Sequence, residues 1–186
     1  MTSHVPGAGV DPRSPLVLDT HDLGRRAGAM REVATSVPAP SGLGGPMIGV
    51  PADSPITLAL RLESVSDGVL VTGTAVVDLA GECSRCLDPI AEQLEVELQE
   101  LWLYPDTHPD VDPEDEDLSR LDGELLDLEP ALRDAIVLDL PFSPLCRDDC
   151  AGLCPECGTN LNDHPDHTHG DPIDARWQGL GDWAAD

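Results

Sequence analysis

Six cysteines are the residues of this chain best equipped for chemistry, and they are grouped rather than scattered. Four of them, Cys146, Cys150, Cys154 and Cys157, fall within a dozen residues at the spacing C-x3-C-x3-C-x2-C. The other two, Cys83 and Cys86, form a second C-x2-C far upstream. Two intervening residues let a tight turn aim both sulfurs at one ion, and Gly158 can take the left-handed conformation such a turn often needs. Thiolates suit zinc, which takes four ligands in a closed tetrahedron when its role is structural. Two remote C-x2-C pairs are the mark of a zinc ribbon. Three groupings of four are open. Cys83, Cys86, Cys154 and Cys157 would form a ribbon. Cys146, Cys150, Cys154 and Cys157 would form a local cluster. Cys83, Cys86, Cys146 and Cys150 would join the hairpin to the first half of the cluster. The first and third gain more from loop closure, because they cross-link remote segments. One structural zinc ion per chain is the expectation.

His164, His167 and His169 are further potential ligands, in Asp163-His-Pro-Asp-His-Thr-His169. Six cysteines already oversupply donors for one ion, so this stretch reads as a flexible polar tail. Arg25, Arg26 and Arg31 put three of the ten basic residues within seven positions, and Arg85 lies between the two upstream cysteines. These four are the candidate contacts to a partner or to RNA. The competing reading is surface charge that offsets neighbouring acids. Asp110, Asp112, Glu114, Asp115, Glu116 and Asp117 crowd together without the central glycine and closing glutamate of a calcium loop, and read as a solvated loop.

The totals narrow the partners. Formal net charge is −26 and all ten basic residues are arginines. A broad electrostatic grip on phosphates is excluded, so direct binding to bare RNA is doubtful. The acidic stretch suits a basic protein surface instead. Aromatics are 3% of the 186 residues, so the core must be built from Val, Leu, Ile and Ala. The sequence shows no basic region followed by an apolar run at the start and no stretch long enough to span a membrane. A reducing cytoplasm is expected, which favours metal over disulfide for the cysteines.

The elements that must position the cysteines follow from periodicity. Leu16-Val-Leu18 reads as a short strand, and Pro38 to Pro46 reads by composition as a mobile loop. Ile56, Leu58, Leu60 and Leu62 alternate with Thr57, Ala59, Arg61 and Glu63, the pattern of a half-buried strand. Ser66-Asp67-Gly68 is a hairpin turn signal. Val69 to Leu79 is a second strand, and Leu94, Val96 and Leu98 mark a third. Cys83 and Cys86 therefore cap a hairpin as a knuckle. Asp127 to Leu140 reads as a helix, with Asp127 as N-cap, Pro130 in the first turn and Leu128, Leu132, Ala135 and Ile136 on one face. Pro141 and Pro144 end it and hand the chain to the cysteine cluster. The fold class is α+β: an antiparallel β-sheet or partial barrel, one main helix and a cysteine-rich zinc-binding C-terminal loop. One domain spans 15–162, with a mobile loop at 38–46, an acidic loop at 105–124 and a disordered lead at 1–14. A tail over 163–186 carries a short docking segment at Trp177 and Leu180.

Three quoted stretches carry a resemblance: Cys83-Ser-Arg-Cys-Leu87, Ile136-Val-Leu-Asp-Leu-Pro-Phe-Ser-Pro-Leu-Cys146 and Cys150-Ala-Gly-Leu-Cys-Pro-Glu-Cys-Gly-Thr-Asn-Leu-Asn162. Leu18-Asp-Thr-His-Asp-Leu-Gly-Arg-Arg26 and Asp174-Ala-Arg-Trp177 extend it. The chain resembles the YceD-type family, the large ribosomal RNA subunit accumulation proteins, in its actinobacterial branch. The resemblance implies a non-enzymatic cytoplasmic role in the synthesis, processing or stability of large-subunit (23S) ribosomal RNA. Its implied partners are a large-subunit precursor particle or a basic ribosomal protein, with no small-molecule substrate. The alternatives are a thiol-redox or metal-dependent enzyme, or a protein that stores or transfers zinc. A redox enzyme would place its C-x2-C at a helix N-terminus, and a catalytic zinc would keep an open coordination position.

Overall fold

Period-two alternation governs most of the chain and gives it its strands. The computed structural model describes residues 10–107 and 118–169. In chain order the strands are Val17–Asp19 (β1), Met30–Pro38 (β2), Leu43–Gly44 (β3), Ile48–Val50 (β4), Pro55–Ser64 (β5), Gly68–Glu82 (β6), Pro89–Leu103 (β7) and Leu125–Asp127 (β8). Glu129–Asp139 (α1) is the one α-helix among the described residues. Nine of the residues read as a lead, the acidic run from Asp110 to Asp117, and Trp177 and Leu180 lie outside the described residues. No helix among the described residues is long and apolar enough to cross a membrane.

β6 is the axis of an open antiparallel sheet, rather than a barrel. One edge of it pairs with β7 along its whole length, from Gly68↔Leu103 to Glu82↔Pro89. Its other edge is shared. β5 takes the first part, from Ser64↔Val69 to Thr57↔Val76. β4 takes the far end, at Gly49↔Ala80 and Ile48↔Gly81. β2 extends the sheet beyond β5, and β3 extends it beyond β4. β1 and β8 form a separate two-stranded ribbon.

The apolar halves of the strands face one side. Ile56, Leu58, Leu60 and Leu62 of β5 are buried, as are Val69, Val71, Ala75, Val77 and Leu79 of β6 and Val96 and Leu98 of β7. Cross-strand neighbours keep this register: Leu60 lies opposite Gly73, and Gly73 opposite Leu98. A Cβ at Gly73 would come within 2.1 Å of the Ala59 carbonyl oxygen, so the strands approach too closely there for any side chain. Helix α1 covers the inner face against β7 and β3. Leu128, Leu132 and Ile136 are fully buried on that side. Each such side chain contributes about 1.5–3 kcal/mol by leaving water.

The N-cap is Leu128, which makes no side-chain cap bond, rather than Asp127, which lies one residue earlier. Asp127 Oδ1 accepts the Glu129 backbone N–H at 3.0 Å, and Leu128 already has helical backbone angles. The chain leaves the helix at Leu140, whose ψ of 135° is extended, one residue before Pro141. Leu140 then lies over β3, where its Cδ1 would be 3.4 Å from a Cβ at Gly44. The helix therefore ends beside the same end of β6 that carries Cys83.

Four strands have no counterpart in the sequence expectation: β2, β3, β4 and β8. β2 begins inside the arginine-rich stretch, and every one of its residues from Met30 to Pro38 pairs with β5. Leu43–Gly44 pair with Val50 and Gly49 inside the stretch read as a mobile loop, and Leu43 is buried.

Candidate metal centre

Cys83 and Cys86 sit in the connection between the longest two strands. Glu82↔Pro89 is the last pair of the β6–β7 hairpin, and Cys83 to Asp88 form its tip. Two backbone hydrogen bonds fold the tip into a knuckle. Cys83 donates its N–H to the Asp88 carbonyl at 2.8 Å, and Leu87 donates to the Cys83 carbonyl at 3.0 Å. Closing so tight a turn puts Leu87 at φ 62°, in the left-handed region a bulky side chain rarely enters. The Arg85 N–H points at the Cys83 sulfur, 3.5 Å away.

The segment after α1 wraps this tip. Ser84 donates its N–H to the Pro144 carbonyl at 2.8 Å. Leu153 donates to the Arg85 carbonyl at 3.1 Å. Arg85 Nη1 in turn donates to the Cys150 carbonyl at 2.9 Å. These contacts bring Cys146 and Cys150 onto the knuckle from 60 to 67 residues away along the chain. Cys83 Sγ and Cys150 Sγ are 3.7 Å apart, across 67 residues of sequence. Cys86 Sγ and Cys146 Sγ are 3.5 Å apart, across 60 residues.

The four sulfurs of Cys83, Cys86, Cys146 and Cys150 lie within 4.8 Å of one another. At a zinc–sulfur distance of about 2.3 Å, tetrahedral geometry separates sulfurs by about 3.8 Å. The donor set and its spacing therefore fit a tetrahedral thiolate-binding ion. Cys83, Cys86 and Cys150 are buried and Cys146 is half-buried. All six cysteines are free of disulfide bonds.

The electrostatics point the same way. Burial opposes ionisation of Cys83, but the backbone N–H groups of Cys146, Cys86 and Arg85 outweigh it and bring the thiol down to about 6. An amide N–H of Asn162 lowers Cys150 against the effect of burial. Burial pushes the Cys86 thiol up, and the Asp88 carboxylate reinforces this. Cys146 is also raised: its hydrogen bond with Cys86 favours the thiolate, and burial with the nearby Cys150 and Cys83 prevails. The crowded sulfurs are thus pushed in opposite directions, Cys83 and Cys150 toward the thiolate and Cys86 and Cys146 toward the thiol, since like charges at this range oppose one another. A dication at their centre removes that conflict.

An outer layer of polar side chains supports the sulfurs. Asn162 Nδ2 donates to the Cys150 sulfur at 3.4 Å, while its Oδ1 accepts the Ala151 N–H at 2.8 Å. Asp88 Oδ2 lies 3.1 Å from the Cys86 sulfur. Asn160 Nδ2 holds that carboxylate, 3.2 Å from Oδ2 and 3.3 Å from Oδ1. Asp88, Asn160 and Asn162 are candidate site residues that spacing arguments overlook. The signal for two of them was present in Asn160-Leu-Asn162 directly after the last cysteine pair.

Cys154 and Cys157 do not join this group. They belong to a second one, with His167 and His169, whose four donor atoms also lie within 4.8 Å of one another. The six cysteines therefore fall into two groups, where the sequence reading placed four of them around one ion and left the others as surplus. Neither the ribbon of Cys83, Cys86, Cys154 and Cys157 nor the local cluster of Cys146, Cys150, Cys154 and Cys157 is assembled. The sequence reading also set the histidines aside as polar tail, yet two of the three face cysteines. His164 stays out of the group.

The candidate arginines are partly engaged. Arg25 Nη1 lies 2.8 Å from both Asp106 carboxylate oxygens, and its guanidinium carbon is 4.5 Å from the Tyr104 ring centre. Arg31 Nη2 donates to the Asp19 carbonyl at 2.7 Å. Arg85 is engaged through its Nη1 on the Cys150 carbonyl, and Arg26 is exposed.

Known proteins place the chain in context. An uncharacterized protein of Mycobacterium tuberculosis is 45% identical to it over 177 residues, 95% of this chain and 85% of its own length. One of Mycobacterium leprae is 41% identical over 172 residues, 92% of this chain and 79% of its own. The Bacillus subtilis protein YlbN is 23% identical over 128 residues, 68% of this chain and 73% of its own. No solved structure matches the chain. The profile of the large ribosomal RNA subunit accumulation protein YceD matches residues 71–183, a span that holds all six cysteines and both histidines of the two groups. With more than half its length in that match, the chain belongs to the YceD family of large ribosomal RNA subunit accumulation proteins.

Proposed function

We propose that this chain is a zinc-stabilised, non-enzymatic cytoplasmic factor that supports the accumulation of large-subunit (23S) ribosomal RNA. The family name supplies the pathway. The observation that carries the mechanism is the closed set of four sulfurs from Cys83, Cys86, Cys146 and Cys150. Four thiolates fill a tetrahedral zinc and leave no position for water or substrate, which is the pattern of a structural site. The ion would hold the β6–β7 tip to the segment after α1 and so fix the face that those two elements share. Both C-x2-C turns lie in knuckles rather than at a helix N-terminus, which disfavours thiol-redox chemistry. Burial of three of the four sulfurs disfavours zinc storage or transfer at this centre.

Charge indicates the kind of partner. A net charge of −26 repels bare RNA and attracts a basic protein. The outward side of the sheet adds exposed Asp78, Glu95 and Glu97 to the acidic stretch of the sequence. The partner is therefore a large-subunit precursor particle, reached through a basic ribosomal protein. Arg26, which is exposed, is the arginine best placed to touch it, while Arg25, Arg31 and Arg85 are held by their guanidinium bonds to Asp106, the Asp19 carbonyl and the Cys150 carbonyl.

A pull-down of precursor particles beside a gel-shift with bare rRNA fragments, across a salt series, tests the reading. Retention of particles or of a basic large-subunit protein, weakening as salt rises, is expected, because contacts between exposed charges are screened beyond about 8 Å at physiological ionic strength. Tight sequence-selective binding to bare RNA with no protein partner would contradict it.

A further inference from the structure

We propose that Cys154, Cys157, His167 and His169 form a second metal centre, a Cys2His2 site for zinc that exchanges its ion while the four-sulfur centre keeps its own. The four donor atoms come together without help from the first group. Cys157 Sγ lies 3.2 Å from His167 Nε2 and 3.2 Å from His169 Nε2. The two ring nitrogens are 2.9 Å apart. Two cysteine sulfurs and two imidazole nitrogens are a standard tetrahedral zinc set.

Protons alone do not satisfy this arrangement. A ring nitrogen either donates or accepts, so Cys157, His167 and His169 cannot all pair with one another. One cation accepts a lone pair from each. Both histidines present the same nitrogen, Nε2. His169 Nδ1 lies 3.4 Å from Glu156 Oε2, a carboxylate behind a ligand histidine that fixes the ring with Nε2 facing inward. Thr159 Oγ1 lies 3.1 Å from the Cys157 sulfur and supports it from the side.

The backbone here repeats that of the first centre. Cys154 donates its N–H to the Thr159 carbonyl at 2.8 Å, and Gly158 donates to the Cys154 carbonyl at 2.8 Å. These bonds have the same residue offsets as those of Cys83, Asp88 and Leu87. The chain therefore holds two knuckles, each built to aim two sulfurs at one point.

Exchange follows from position. Cys157 and His169 are exposed, whereas Cys83, Cys86 and Cys150 are buried. The histidines are 10 and 12 residues from Cys157, so only a short loop must open to release the ion. Release from the first centre must part segments 60 to 67 residues apart.

Zinc content of the full chain, followed during competition with a chromogenic chelator, tests this. Two zinc ions per chain are expected, one released fast and one slowly. His167→Ala with His169→Ala should leave one ion and abolish only the fast phase, with the circular dichroism of the sheet unchanged. His164→Ala should keep two ions and both phases. Cobalt substitution gives an independent readout: the double variant should lose the shorter-wavelength d–d bands of a mixed sulfur–nitrogen site and keep those of a four-sulfur site. One ion per wild-type chain, two ions in the double variant, or release of both ions in a single phase would overturn the proposal.

Discussion

Leu87 and Gly158 occupy the same place in two knuckles. Each lies in the left-handed region, at φ 62° and 74°, and each donates its N–H to the carbonyl of the cysteine four residues before it. Glycine meets that geometry without strain, and leucine does not. The left-handed conformation costs an L-residue about 1–2 kcal/mol, and a glycine's greater freedom in the unfolded chain returns about 0.5–1 kcal/mol of that. Leu87 is 55% exposed, so little packing is lost with its side chain. Leu87→Gly should therefore stabilise the protein by about 0.5–1 kcal/mol, read from denaturant midpoints at saturating zinc. A lower midpoint would mean that the leucine side chain contributes more than its strained backbone costs.

Asn162 anchors the second half of the first centre, through its amide on the Cys150 sulfur and its carbonyl on the Ala151 N–H. Outer-layer contacts of this kind change metal affinity by about 10–100-fold. Asn162→Ala should weaken zinc retention at the slow-releasing centre by that factor in chelator competition and leave zinc stoichiometry at saturating metal unchanged. Unchanged affinity would show that Cys150 is held by the backbone alone.

His21 gives a pH signature far from the cysteines. Its Nδ1 is 2.7 Å from Glu124 Oε2, and that hydrogen bond, with the carboxylate charge, raises its pKa above the ordinary 6.5. A raised histidine pKa contributes stability that is fully present below the unfolded value and is lost as pH rises through the folded one. An NMR titration of His21 should show a midpoint above 6.5 that falls in Glu124→Gln. An unmoved midpoint in that variant would remove Glu124 as the cause.

Much of this architecture is legible in the residues. The alternation of Ile56, Leu58, Leu60 and Leu62 sets β5, and the apolar runs of β6 and β7 place Cys83 and Cys86 on a hairpin tip. The apolar face of Leu128, Leu132 and Ile136 marks the helix that leads to Cys146, and its cap falls at Leu128, one residue after the expected Asp127. β2 is hidden because Met30-Arg-Glu-Val-Ala-Thr-Ser-Val lacks a clean alternation: as an edge strand it buries little, and pairing with β5 decides its conformation. β8 has only three residues and forms because β1 is there to pair with it. The division of six cysteines into two groups is a tertiary fact. Spacing shows that Cys154 and Cys157 share a turn, but not that the loop beyond it folds His167 and His169 back onto them. The contacts of Ser84 with Pro144 and of Leu153 with Arg85 choose Cys146 and Cys150 as partners of the knuckle, and no local pattern encodes them.

The central claim is that one ion joins Cys83, Cys86, Cys146 and Cys150 across the length of the domain. Cadmium-113 substitution of the unaltered protein, with correlation of each cadmium resonance to cysteine β-protons, addresses it without any variant. The expected spectrum has one cadmium signal in the four-sulfur range, coupled to the β-protons of those four residues. A cadmium signal that couples Cys146 and Cys150 to Cys154 and Cys157, with none to Cys83 or Cys86, would contradict the account.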